Sequence, residues 1–522
     1  MLSPKDFTHW TDILPWAGIL LIGWYTTSAL TAYYRLRHIP GPFLARISYL
    51  PHLYNILTAR FQAVYEDIHD RYAAATGHPC PLVVVAPNTV VTNDPDVLRH
   101  VAAARSAYAR DGWYRAARFH REYESIASII DTDAHDRAKA KTASGYSGRE
   151  VGAAEFEPAI DAVILALRDL IRRKHLSTDT KGSPVDVSFL IRLFTVDVIT
   201  RLGYGKAFGH LDEGTDLYGF VDEAMASYKA SALLLEIPFL RNLVYSPIGL
   251  FSLVAPRETD KTGAGKFMGL IHEIVTSRFR EAKEKPGTDW KDMVGGFMRN
   301  GLTQREIEGE ANLQIFAGSE TTATVLSTTL MHLASSPRAY MRLKEEIRDA
   351  IARGHVARDK PITYEQAQKL PYLQAVIWEG FRMRSPVSMG HYKRVPAGGD
   401  TIAGVFLPGG TAIGHNSLAL TRNTALFGEN VHLFRPERFL EPECDEETRK
   451  ARLRGVDIIF GGGRWMCSGK PVALYELNKV TFELMRAFDF QVANPLHTWD
   501  EQHYMMPLIS NMMVHITEAA PS

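Results

Sequence analysis

Between Ile13 and Tyr34 the chain runs for 22 residues without a charge. About 20 apolar residues in a helix cross the hydrocarbon of a bilayer, so this run is long enough to do so. Asp12 closes it on one side and Arg35, Arg37 and His38 on the other. Trp16, Trp24, Tyr33 and Tyr34 include rings near its ends, where membrane interfaces favour them. The pattern predicts a lumenal tail over 1–12, a single uncleaved transmembrane anchor over 13–34, and all that follows in the cytosol by the positive-inside rule. A signal peptide fits less well, because Lys5 sits beside Asp6 and the apolar run is long. A core helix is the third reading. Ile39-Pro40-Gly41-Pro42 then forbids helix continuation, and residues 35–48 read as a stiff, basic and Pro-rich hinge.

The remainder, 49–522, shows no linker, low-complexity tract or repeat and reads as one domain. Lys and Arg total 59 and so do Asp and Glu, which offers no basic field for nucleic acid. Cys80, Cys444 and Cys467 are no disulfide framework, and no Asn-x-Ser/Thr acceptor occurs. Helical periodicity dominates, for instance at Ile160, Val163, Ile164, Leu167, Leu170 and Ile171 within 160–175. Leu82–Ala86 and Thr89–Thr92 flank Pro87-Asn88 as a hairpin, and Thr401–Val405 with Thr411–Ile413 suggests another short sheet piece. The fold class is mainly α with small β-sheets. The apolar stretch 232–256 reads either as core helix or as a membrane-touching lid over a channel for greasy substrates.

Four motifs carry the chemistry. In Phe460-Gly461-Gly462-Gly463-Arg464-Trp465-Met466-Cys467-Ser468-Gly469, a glycine-rich bend lets backbone approach a ligand and leaves Cys467 at the mouth of a helix. A helix N-terminus favours the thiolate. One thiolate cannot build a zinc or iron–sulfur site, but it suffices as an axial haem ligand; a packed core thiol is the plainer alternative. Ala317-Gly318-Ser319-Glu320-Thr321-Thr322 lies inside a long helix that opens with a capping box at Thr303 and Glu306 and ends before Ser336-Pro337. Gly318 costs about 1 kcal/mol there against Ala. Glu320 and Thr321 put an acid and an alcohol together, fit to relay protons; Thr hydroxyls bonded back to helix carbonyls are the alternative. Glu379 and Arg382 face one another at i, i+3 on a helix introduced by Pro371. Pro436-Glu437-Arg438-Phe439 sits in a Pro-broken loop.

In this order, the four motifs resemble the cytochrome P-450 superfamily of haem-thiolate monooxygenases, over essentially the whole chain after the anchor. Phe460, Gly463, Cys467 and Gly469 match its cysteine loop; Ala317, Gly318, Glu320 and Thr321 its oxygen-side helix; Glu379, Arg382 and Arg438 its structural Glu–Arg–Arg network. Trp465 departs from the pattern, standing where the family has a propionate-binding Arg, while Arg464 stands one place earlier. Arg394 falls where the family places a second propionate-binding Arg, and Lys139 where it has a third cation, with His135 in place of a Trp. The resemblance implies haem b with Cys467 as the iron ligand, and Glu320 and Thr321 delivering protons during oxidation by O2. The substrate is then a hydrophobic small molecule. Val387 and Met389, and Met505 and Met506, are its expected contacts. Because no flavin or nicotinamide fingerprint follows Cys467, electrons are expected from an NADPH-dependent reductase docking near Arg452, Arg454, Arg464 and Lys470. The loop is similar to those of fungal members that tailor secondary metabolites. The implied location is the endoplasmic reticulum membrane, single-pass, with the domain facing the cytosol. A haem-thiolate isomerase or dehydratase, or a non-enzymatic haem or lipid binder, are the rival readings.

Overall fold

The computed structural model describes residues 10–120, 122–148, 153–177, 182–246, 250–442 and 444–520. Most of the expected tail, 1–9, therefore lies outside the described residues. Among the described residues the fold is mainly helical, with four small sheets. At its centre runs a 31-residue helix, Gln304–Ala334. Its start is the capping box read from sequence: Thr303 Oγ1 accepts from the Glu306 amide at 3.3 Å and Glu306 Oε2 accepts from the Thr303 amide at 2.7 Å. Most of this helix is buried, more than a hydrophobic stripe alone would predict. Gly318 has its reason in packing: a Cβ there would stand 3.1 Å from the side chain of Ile199 on the neighbouring helix Val187–Tyr204.

The predicted hairpin forms as Leu82–Ala86 against Thr89–Thr92. Thr89–Thr92 then pairs in parallel with Ala412–Asn416, which pairs antiparallel with Met389–Arg394, and Ala109–Arg110 closes the five-stranded sheet. Thr401–Val405 is not one strand. Ala403 (φ 49°) and Gly404 (φ 75°) form a tight turn between Asp400–Ile402 and Val405–Leu407. The 160–175 periodicity corresponds to the helix Ala153–Leu170, running on into a wider turn at Ile171–His175. The apolar stretch 232–256 is partly core and partly surface. Helix Phe220–Glu236 buries Ala232 and Leu235 at its end. After Pro238, the chain exposes Phe239, Leu243 and Leu253.

Helix Trp10–Leu36 contains the uncharged run, and Leu14, Ile19, Leu20, Leu21, Ile22 and Trp24 on it are exposed. Among the described residues no helix is long and apolar enough to cross a membrane. The expected hinge is fastened to the body. Arg35 Nη2 donates to the Gly409 carbonyl at 2.6 Å, Leu36 and Ile39 are buried with Val84 and Val90, and Val84 donates to the Pro40 carbonyl at 2.8 Å. Gly41 fits there because a Cβ would meet the Val84 carbonyl at 2.5 Å.

Candidate active site

A cavity of about 480 Å³ lies between the central helix and the helix Lys470–Ala487 that follows the cysteine. Cys467 forms part of its wall, and the Cys467 amide donates to the Phe460 carbonyl at 2.7 Å, closing the glycine-rich loop. The sulfur lies deep in the molecule yet is reachable from the cavity. Burial pushes its pKa up, against the Gly469 and Lys470 amides and the Lys139 charge, which lower it. Desolvation and the helix-mouth groups thus act in opposite directions on this thiol.

Gly463 does not line the cavity; it sets the loop's path. Its φ is +53°, and a Cβ there would meet the Ala102 carbonyl at 2.1 Å. Gly463→Ala should destabilise the fold by about 2 kcal/mol through backbone strain and that clash, read as a shift in denaturant midpoint. An unchanged midpoint would show that the loop adjusts freely.

On the central helix, Ala317, Gly318, Glu320 and Thr321 reach the same cavity. Thr321 Oγ1 donates back to the Ala317 carbonyl at 2.8 Å. Both oxygens of Glu320 are committed to a partner absent from the sequence reading, Arg192. Its Nε stands 3.0 and 2.9 Å from them and its Nη2 2.9 Å from Oε1, while Nη2 also donates to the Ile509 carbonyl. Glu320 in this arrangement is an ion-paired carboxylate, and its use as a proton carrier requires it to leave Arg192. The signal was present in Phe189-Leu190-Ile191-Arg192-Leu193-Phe194, one cation in an apolar stretch of six residues.

Arg394 is a correction. It pairs with Asp111 at 2.9 Å, half-exposed, outside the cavity. On this strand the basic residue that lines the cavity is its neighbour, Lys393. Adjacent strand residues point to opposite faces, and a bulge between Gly390 and Lys393, with His391 at φ 51°, turns His391 and Lys393 inward. Lys393 Nζ donates to Tyr114 Oη and lies 5.2 Å from the Trp465 ring; the Arg110 guanidinium lies 5.0 Å from the same ring. Burial, and then Arg110, push Lys393 well below the ordinary lysine pKa. Trp465 Nε1 is buried with no hydrogen-bond partner. A buried guanidinium and a buried lysine whose charged form lacks a counter-ion, beside an unpaired indole N–H, make a place that a dianionic ligand would suit. Haem, with its two propionates, fits that requirement.

Lys139 also lines the cavity, and its Nζ donates to the Arg464 and Met466 carbonyls at 2.8 and 2.5 Å, clamping the cysteine loop. His135 packs on Trp465 with ring centroids 4.7 Å apart. Arg464 points away: it donates to the Ala104 carbonyl at 2.7 Å and pairs with Asp136 at 3.5 Å. Phe460 and Gly469 are wall residues, as are Val387, Met505 and Met506. Met389 is not. It is fully buried, packed in the cluster with Val83, Val91 and Tyr392. Of the expected docking cations, Arg452 is spent on the Arg438 and Leu426 carbonyls and Lys470 on Asp457, while Arg454 is exposed.

Behind the cavity, Glu379 binds Arg382 at 2.6 and 2.7 Å and Arg438 at 3.3 Å, all three buried. Arg382 also donates to the carbonyls of Thr421, Val431 and Leu433. The network ties the helix Pro371–Met383 to the loop ahead of the cysteine.

Comparison with known proteins agrees with this geometry. Residues 44–514 match the Cytochrome P450 family. Cytochrome P450 monooxygenase ABA1 of Pyricularia oryzae is 40% identical over 517 residues, 98% of this chain and 97% of that protein. Cytochrome P450 monooxygenase aba1 of Botryotinia fuckeliana is 40% identical over 488 residues, 93% and 92%. Cytochrome P450 monooxygenase abl1 of Leptosphaeria maculans is 34% identical over 511 residues, 96% and 86%. With a cysteine loop and an Ala-Gly-x-Glu-Thr helix bounding one buried cavity, and a family match spanning the body, the chain belongs to the cytochrome P450 family.

Proposed function

We propose that this monooxygenase is anchored in the endoplasmic reticulum membrane by residues 13–34, with its body in the cytosol. There it oxidises a hydrophobic small molecule with O2 and electrons from an NADPH-dependent reductase, as a tailoring step in secondary metabolism. The observation that carries the substrate reading is the cavity itself. Beyond Cys467 and the Ala317–Thr321 stretch, its walls include Phe119, Phe316, Val387, Met505 and Met506. Apolar and Met-rich walls suit irregular hydrophobic ligands. The exposed apolar side chains of helix Trp10–Leu36 support the anchor. The fungal source of the relatives supports the pathway reading.

The cofactor is haem b, ligated through the Cys467 thiolate. When bound, it supplies oxygen activation, and thiolate donation favours O–O cleavage. The chain's own residues do the rest. In this reading Lys393, Arg110 and the Trp465 indole hold the propionates, and Lys139 keeps the cysteine loop closed over the sulfur. Thr321 offers a hydroxyl on the oxygen side. Glu320 carries protons once it exchanges Arg192 for water. Glu379, Arg382 and Arg438 hold the frame.

Reduced, CO-bound protein should show the red-shifted Soret band of thiolate-ligated haem. Full-length chain should stay in the membrane through an alkaline wash, and NADPH consumption should require added reductase. Release of the full-length chain by the wash would sink the anchor. Turnover without reductase would sink the electron source and favour the isomerase reading.

A further inference from the structure

Away from the haem cavity, three parts of the chain bring ligand atoms together. Glu258 lies in the turn before the helix Gly263–Glu284, His272 on that helix, and Glu308 near the start of the central helix. One donor atom of each lies within 4.8 Å of the other two. Glu308 is only 1% exposed. Its Oε1 accepts from His272 Nδ1 at 2.9 Å and from Gln304 Nε2 at 2.9 Å. Its Oε2 is buried and accepts no hydrogen bond; the half-exposed Arg305 stands 3.7 Å away. A buried carboxylate oxygen with no donor is costly, and a cation answers that need.

His120 orients this cluster and is not itself a ligand. Its Nδ1 accepts from the Glu122 and Tyr123 amides at 3.1 and 3.3 Å, so a neutral ring carries its proton on Nε2. That nitrogen faces Glu258 Oε1 at 3.4 Å. An imidazole N–H steering a ligating carboxylate is a recurrent outer-shell arrangement at metal sites.

We propose that Glu258, His272 and Glu308 bind a divalent transition metal of the zinc class, pinning the turn at Glu258 to the central helix. One imidazole and two carboxylates favour zinc, cobalt or nickel over magnesium or calcium. Zinc bonds of about 2.1 Å in a tetrahedron put ligand atoms about 3.4 Å apart. The present separations from His272 Nδ1, 2.9 Å to Glu308 and 3.9 Å to Glu258, bracket that spacing. The remaining position faces solvent through His272, which is 38% exposed in its side chain.

The test uses the full-length, haem-loaded protein, freed of loosely bound metal with a chelator and titrated calorimetrically with zinc, and separately with magnesium and calcium. One saturable zinc site is expected, weakened at least tenfold in His272→Ala and in Glu258→Gln. Zinc should raise the thermal midpoint of the parent and of neither variant, with the Soret band unchanged throughout. Both substituted side chains are partly exposed, so folding is not at stake as it is for Glu308→Gln. Equal zinc affinity in parent and variants would mean adventitious surface binding and overturn the proposal. Calcium or magnesium binding as tight as zinc would overturn the metal class.

Discussion

Cys467→Ala eliminates the thiolate spectrum and, with it, oxidation of any substrate. The expected result is a reduced, CO-bound protein whose Soret band has lost its red shift, and turnover lower by about a hundredfold or more. The substitution is a clean probe because the sulfur borders open cavity. Removing it clashes with nothing, and the backbone bond from the Cys467 amide to the Phe460 carbonyl survives. Lys139, Lys393 and Arg110 remain to hold the propionates in the proposed arrangement, so some haem binding should persist without the axial ligand. A red-shifted band in the variant would move the ligand to another residue and undo the site as described.

Arg382→Ala should be the most damaging change away from the cofactor. The guanidinium is completely buried and donates to Glu379 and to the Thr421, Val431 and Leu433 carbonyls. Truncation leaves three carbonyls without that donor. Glu379 is left to Arg438 at 3.3 Å and the Arg435 amide at 2.7 Å. Breaking a buried pair costs about 3–5 kcal/mol, against a total stability of about 5–15 kcal/mol for a typical domain. The variant should accumulate poorly and carry little haem. Arg382→Lys should rescue only part of this, because an ammonium cannot span the same acceptors. Urea unfolding and haem per chain measure both. A midpoint for Arg382→Ala within about 1 kcal/mol of the parent would show the network to be dispensable.

The motifs were legible because each imposes a local demand that only certain residues meet. The capping box at Thr303 and Glu306 and the i, i+3 pair of Glu379 and Arg382 form as their spacing requires. What stayed hidden was long-range or irregular. The Arg192–Glu320 pair joins residues 128 apart in the chain, and nothing near Glu320 announces it. The exchange of Arg394 for Lys393 follows from a bulge at Gly390–Lys393, which shifts the alternation of one strand and is invisible to a period-two reading.

The fastening of residues 35–41 fixes where the molecule can be cut. Leu36 and Ile39 complete a cluster with Leu82, Val84 and Val90, and Pro40 supplies the acceptor for the Val84 amide. A shortened chain beginning at Tyr49 would strip one edge of the five-stranded sheet and leave those valines facing water. One beginning at Arg35 keeps the Gly409 contact and the cluster whole. The seam between the removable helix and the folded body therefore falls at Tyr34–Arg35, on the helix side of the prolines.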